Sequence, residues 1–292
     1  MKKRCILIIL ILSLTVSCFT GCSKESEEID PHEGMVYIYD GYDWIWYTPI
    51  EGLEVNDLSK DDFSYENGMP NYIGDEFDLL QGIDVSEHQL EINWPMVALQ
   101  NYDFAYIRLG RRGYTEGGLF TDEYYETNMA GAKEAGLKRG VYFFSQAISV
   151  SEAIEEAEYV IDKLKGYDID LPVAYDWEKV EDPSARTANT SKDTITDCTI
   201  AFCETIKKAG YEPIVYYNRT SGYYRFDLTR LQDYKVWFSL PCTPPDVTFP
   251  SFYYHIDMWQ YSISDTVPGI KVETDMNYIF VPKETIAADS ES

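Results

Sequence analysis

From Gln81 onward, short apolar runs alternate with amphipathic stretches of helical period. The runs predict strands at Gly82–Val85, Phe104–Leu109, Gly140–Ser145, Pro172–Trp177, Pro213–Tyr217, Val236–Leu240, Met258–Tyr261 and Tyr278–Val281. Between them, the spacing predicts helices over Tyr124–Ala135, Ser151–Lys165, Lys192–Ala209 and a short piece near Leu228–Gln232. Ser151 with Glu152 and Glu155 suits a helix start, because first-turn carboxylates meet the positive end of the helix dipole. Gly136, Gly166 and Gly210 stand where helices should stop. Strands alternating with helices imply βαβ units and a parallel sheet, and eight strands in about 200 residues point to a closed barrel. The last three strands have little helix between them, so the barrel should be irregular at its end.

The preceding segment is patterned differently. Met35 to Thr48 carries two alternating aromatic runs around Asp40-Gly41, a hairpin signal. A lone hairpin is barely stable in water, so this one must pack on something. Residues 51–80 are acidic with Gly and Pro and read as a loop-rich strap. The resulting organisation is a signal peptide at 1–21, a tether at 22–34, a hairpin and loop-rich extension at 35–80, the barrel at 81–284 and a tail at 285–292.

At the N-terminus, Lys2, Lys3 and Arg4 precede the apolar run Cys5 to Val16. A basic head and a short apolar stretch predict an export signal, and the run is short for a membrane span. The stretch Phe19-Thr20-Gly21-Cys22 then turns polar at once. It resembles a bacterial lipoprotein box, with Phe19 where such boxes usually carry Leu, so Cys22 is the expected lipidation site. The competing readings are a plain secretory peptide and an uncleaved anchor. The protein is therefore expected outside the cytoplasm, lipid-anchored to the cell membrane and facing the wall, or secreted if the box is unused.

Composition narrows the partners. With 24 Lys+Arg against 50 Asp+Glu, the formal net charge is −26. Phosphate backbones need clustered cations, so nucleic acid is not an expected partner. Aromatic residues reach 15%, with 25 Tyr, and this excess suits either a dense core or a carbohydrate-stacking cleft. After Cys5, Cys18 and Cys22, only Cys198, Cys203 and Cys242 remain, an odd number for a disulfide framework. They read as core residues, and no metal-ligand spacing is present. No cofactor is expected, and the chain is expected to be monomeric.

Candidate chemistry lies at strand ends, where parallel barrels place it. Asp84 ends the first predicted strand and Asp176 and Glu178 end the fourth, while Asp275 precedes the last. Alternation puts Asp176 and Glu178 on one face, roughly 6.6 Å apart. Two carboxyls that close raise at least one pKa, and a carboxylic acid that keeps its proton near neutrality can donate it. An acidic solvated loop is the plain alternative.

Residues 81–281 resemble the glycoside hydrolase family 25 lysozymes, the Chalaropsis-type N-acetylmuramidases. The resemblance rests on Gly82-Ile83-Asp84-Val85-Ser86, Asn93-Trp94-Pro95-Met96-Val97, Phe104-Ala105-Tyr106-Ile107-Arg108, Gly140-Val141-Tyr142-Phe143-Phe144, Asp176-Trp177-Glu178, Trp259-Gln260-Tyr261-Ser262 and Gly269 to Asn277. It implies an α/β fold, a modified TIM-like barrel of five β/α units plus three further strands. It also implies cleavage of the β-1,4 bond between N-acetylmuramic acid and N-acetylglucosamine in peptidoglycan glycan strands. Glu178 matches the family's general acid, Asp176 the second acid on its strand, and Asp84 and Asp275 the other two. Many members carry His where this chain has Phe143 and Asp where it has Asn93.

Acids on one side of the sugar suit substrate assistance, in which the 2-acetamido oxygen attacks the anomeric carbon. Direct water attack with Asp84 or Asp275 as base is the rival. Tyr142, Tyr217, Trp237, Trp259, Tyr261 and Asn277 are the expected substrate contacts, with barrel core as each ring's alternative. Tyr42, Trp44, Trp46 and Tyr47 either extend the cleft or pack the hairpin onto the barrel. Two other readings stay open: a wall-binding lipoprotein without turnover, and a metal-dependent hydrolase.

Overall fold

The computed structural model describes residues 30–66 and 68–283. Cys22, the signal peptide, most of the tether and the whole C-terminal tail fall outside the described residues. Strands β1 (Val36–Tyr39) and β2 (Trp44–Tyr47) form the aromatic hairpin, with Tyr39 opposite Trp44 and Tyr37 opposite Trp46. Its turn is tied by Asp40, whose Oδ1 accepts the amides of Tyr42 and Asp43 at 2.7 and 2.8 Å. A second hairpin, β3 (Phe63–Glu66) and β4 (Met69–Tyr72), lies within the segment expected to be loop-rich. Four-residue strands carrying Pro70 and polar residues on both faces leave too weak an alternation to read in advance.

The barrel begins at β5 (Phe77–Val85), four residues before the expected boundary at Gln81. It continues through β6 (Phe104–Arg112), with β7 (Leu119–Thr121) folded back on its end, then β8 (Lys138–Ser145), β9 (Val173–Trp177), β10 (Pro213–Asn218), β11 (Lys235–Ser239), β12 (Met258–Asp265) and β13 (Thr274–Pro282). Pairing of β5 with both β6 and β13 closes the ring. Seven of the eight barrel strands run parallel. The eighth, β13, is antiparallel to both β12 and β5.

Helices α1 (Trp94–Val97), α2 (Tyr125–Glu134), α3 (Val150–Leu164), α4 (Lys192–Lys208) and α5 (Arg219–Tyr224) cover part of the outside. The cap of α3 is Ser149, not Ser151, because its hydroxyl is the one that accepts the amide of Glu152. Gly210 stops α4 at φ +93°, a left-handed backbone that a side chain would strain. The short piece near Leu228 is a single 3-10 turn.

The core has two layers. Inside the ring, Phe104, Tyr106, Ala174, Ile214, Trp237 and Met258 pack against one another. Outside it, a larger layer joins strands to helices, as where Tyr175 meets Phe202 of α4 at 4.6 Å between ring centroids. Strands β12 and β13 form a β-hairpin with no helix of their own, so their outward rings need another cover. The extension supplies it: Phe63 of β3 sits edge-on to Trp259 at 5.5 Å and to Phe280 at 6.4 Å, and Tyr72 of β4 adds a second contact to Phe280.

Candidate active site

Register around the ring decides which side chains enter it. Asp176 pairs with Tyr216, Tyr216 with Trp237, and Ser239 with Gln260; Gln260 pairs with Asn277 and Asp275 with Asp84. Neighbours in a pleated sheet share a face, so these residues all point inward. Asp84 lies next to the end of β5 as expected, whereas Asp275 is the second residue of β13. Because β13 is reversed, its first residues reach the same mouth as the last residues of the other strands. Asp84 and Asp275 are therefore direct cross-strand partners. Asp176 and Glu178 approach from β9, about half a turn round the ring.

A network of neutral amides and hydroxyls holds the acids. Gln260 Nε2 donates to Asp84 Oδ2 and to Asp275 Oδ2, both at 3.0 Å. Its Oε1 accepts from Tyr216 OH at 2.9 Å and Ser239 Oγ at 2.7 Å, which orients the amide. Asn277 Nδ2 donates to Asp84 Oδ2 at 2.8 Å and its Oδ1 accepts from Trp237 Nε1 at 2.9 Å. The strand end carrying Glu178 is pinned to the end of β8. Gln146 Nε2 donates to the Glu178 carbonyl at 2.6 Å, and Trp177 Nε1 donates to the Ala147 carbonyl at 3.0 Å.

All four acids are pushed towards their neutral forms, chiefly by burial, which disfavours charge. Asp84 rises to about 6, against the pull of the Asn277 and Gln260 amides. Asp275 rises to about 8, with the charges of Asp84 and Glu178 adding to desolvation. Asp176 is raised strongly by burial and by the adjoining Glu178, and Glu178 is raised by burial, with the carboxyl of Asp176 pulling the other way. The two carboxyls lie close enough that the ionisation of one opposes or aids that of the other, so they titrate as a pair. Asp176 Oδ1 is buried without a hydrogen-bond partner.

The mouth opens into a groove with two sections. One, of about 750 Å³, is lined by Asp84, His88, Tyr142, Lys271 and Asp275 among others. The other, of about 570 Å³, is lined by Glu178, Tyr216, Gln260 and Asp275, and by Tyr39 and Gly41 of the first hairpin. Asp275 and Ile263 belong to both sections.

Among the expected contacts, Tyr142 lines the groove. Trp237 is buried in the inner core, edge-on to Tyr142 at 6.1 Å, and Asn277 is fully buried and donates to Asp84. Tyr217, Trp259 and Tyr261 are corrected: they face outward and are buried, Tyr217 against Phe226 and Phe252, Trp259 against Phe63, Tyr261 against Tyr278. Each sits one residue from the inward position on its strand. Phe143 also faces outward, onto Tyr159, so it shapes no part of the groove. Sequence reasoning missed Tyr216, Gln260, Ser239, Gln146 and Tyr39. The polar Gln260 between Trp259 and Tyr261 was the available signal, since helices and strap leave the outer face apolar. Among the described residues, no group of three or more His, Cys, Asp or Glu side chains is placed to hold a metal ion.

Residues 83–270 match the family described as glycosyl hydrolases family 25. An autolytic lysozyme of Clostridium acetobutylicum is 27% identical over 199 residues, which is 68% of this chain and 55% of that protein. Lysozyme M1 of Streptomyces globisporus is 35% identical over 102 residues, 34% of this chain and 33% of that protein. The modular autolysin LytC of Streptococcus pneumoniae superposes with a TM-score of 0.61 at 25% identity, over 74% of this chain and 51% of that one. The chain thus spans about half, or less, of the length of these relatives.

Proposed function

The chain belongs to glycosyl hydrolases family 25, and on that premise we propose that it hydrolyses peptidoglycan as a Chalaropsis-type N-acetylmuramidase, cutting the β-1,4 bond between N-acetylmuramic acid and N-acetylglucosamine. The observation that carries the reading is the set of four carboxyls converging on one barrel mouth, beside a two-section groove. The Streptococcus pneumoniae autolysin has been solved with a synthetic peptidoglycan ligand, in line with a glycan strand as the occupant here.

In the proposed reaction, Glu178 gives its proton to the glycosidic oxygen as the C–O bond breaks. The 2-acetamido oxygen attacks the anomeric carbon from the other face. Asp176 accepts a hydrogen bond from the acetamido N–H, which supplies the partner its Oδ1 lacks and stabilises the positive charge that develops. Water then opens the cyclic intermediate and returns a proton to Glu178, with retention at the anomeric carbon. A second reading, water attack with Asp84 or Asp275 as base, is favoured by the placement of these two acids across the ring from Glu178. It gives inversion.

The test is release of reducing ends from purified peptidoglycan, with the anomer first formed read by NMR. Retained product is expected. Inverted product overturns the acetamido route, and no release overturns the assignment as a hydrolase in favour of a glycan-binding protein without turnover.

We further propose that the protein is exported, lipidated at Cys22 and held by that anchor on the outer face of the cell membrane, acting there as a monomer. Cys22→Ser should move it from the membrane fraction to the medium.

A further inference from the structure

We propose that the outer face of the first hairpin is a second glycan-binding platform, continuing the groove beyond Glu178. The inference rests on the reading that the groove takes a glycan strand, and it concerns residues outside the matched stretch 83–270.

The two faces of this hairpin do different things. On the inner face, Tyr47 packs on Tyr223 and Tyr254 and hydrogen-bonds Tyr254 OH at 2.8 Å, which fastens the hairpin to the barrel. That contact is enough to hold it. The outer face nevertheless carries only aromatic rings. Tyr37, Trp44 and Trp46 are 55%, 58% and 47% exposed, a contiguous aromatic surface left open to solvent. These rings are mutually ordered. Tyr39 meets Trp44 at 5.8 Å between centroids, Trp44 meets Tyr37 at 5.4 Å, Tyr37 meets Trp46 at 5.1 Å, and Trp46 stacks on His32 at 4.1 Å.

The chain of rings runs into the groove. Tyr39 is on the same outer face and lines the section that holds Glu178 and Asp275. Tyr42 lines a smaller recess next to it, together with Glu178 and Lys179. Tyr39 is kept in place by the Arg219 guanidinium, 5.3 Å from its ring centre. The turn cannot drift either. Asp40 Oδ2 accepts from Tyr224 OH, and a Cβ on Gly41 would come within 2.3 Å of Thr220 Oγ1. A rigid aromatic surface that is continuous with the groove presents flat faces for sugar C–H groups, with Tyr hydroxyls and Trp N–H groups for their hydroxyls. An anionic lipid surface is disfavoured by the net charge of −26.

The experiment uses the full chain and the double variant Trp44→Ala/Trp46→Ala, with Trp44→Phe/Trp46→Phe as the conservative control. Co-sedimentation with insoluble peptidoglycan should weaken at least about tenfold in the Ala variant and recover in the Phe variant. Where the wild type cleaves, kcat/KM on long glycan strands should fall at least fivefold more than on a tetrasaccharide. Equal sedimentation of wild type and Ala variant overturns the platform, as does an equal loss on both substrate lengths. So does tighter sedimentation with phosphatidylethanolamine–phosphatidylglycerol vesicles than with peptidoglycan, or dimer formation that the Ala variant abolishes. A wild type that sediments through these rings but releases no reducing ends would retain the platform and overturn only the hydrolase reading.

Discussion

Glu178 and Asp176 share a strand end, yet their surroundings separate them. Asp176 is buried with an orphaned oxygen, whereas Glu178 is half-buried and lines the open groove. Only the latter can present a proton to an incoming oxygen, and burial pushes both carboxyls towards the protonated form. Glu178→Gln should therefore lower the rate about 10²–10⁴-fold with an unchanged circular dichroism spectrum; a variant keeping most of its rate would exclude Glu178 as the acid. Asp275 makes the complementary case. Its pKa, raised to about 8, means the folded state prefers the neutral carboxyl. A raised folded pKa gives stability that is present in acid and lost as pH rises through the folded value. Asp275→Asn should thus raise Tm at pH 8 by about 2–4 °C for each kcal/mol relieved, with little change at pH 4. Scanning calorimetry at the two pH values checks this, and an equal effect at both would show that the group is not held neutral.

At the scale of elements, one reversed strand explains both the site and its cover. Antiparallel β13 delivers Asp275 to the mouth from a strand start, and the β12–β13 pair leaves Trp259, Tyr261, Tyr278 and Phe280 facing out with no helix above them. The extension takes the place of the absent helix. Phe63 is the ring that closes this layer, so Phe63→Ala should cost about 3–5 kcal/mol, read by denaturant unfolding. Activity per folded molecule should persist, because Phe63 touches no acid. A loss below about 1 kcal/mol would mean that the extension merely rests on the barrel. Parity within each strand also separates Tyr216 from Tyr217 and Gln260 from its two aromatic neighbours. Adjacent residues with similar side chains take opposite fates because the pleat alternates.

For the molecule as a whole, ionisation should make stability strongly dependent on pH. The four acids and Glu156, pushed by burial to about 7 beside Arg112, all favour protonated forms when folded. Their contribution is complete below about pH 4 and is lost through about pH 6–8. Glu152, lowered by Arg186 against its own burial, works in the other sense: its stabilisation is present above its unfolded pKa and lost in stronger acid. Repulsion within a chain of net charge −26 adds to the losses at high pH. Tm should peak near pH 5 and fall by pH 8, and added salt should recover part of that fall by screening. A flat Tm profile from pH 5 to 8 would contradict this electrostatic picture.

The barrel, most strand positions, the three long helices and the acid motifs were legible in the chain alone, because period-2 and period-3.6 patterns are local properties that a core imposes on every element it touches. The aromatic hairpin was legible too, through its alternation around Asp40-Gly41. What the linear chain left open was set by pairing between distant segments. The direction of β13 made Asp275 the partner of Asp84, and the register of β10 to β12 put Tyr216 and Gln260 inside with Tyr217, Trp259 and Tyr261 outside. Docking of a segment before residue 81 onto Tyr223 and Tyr254, distant in sequence, brought Tyr39 to the groove. Ring closure couples the facing of each strand to that of its two neighbours, and no window of sequence contains both neighbours at once.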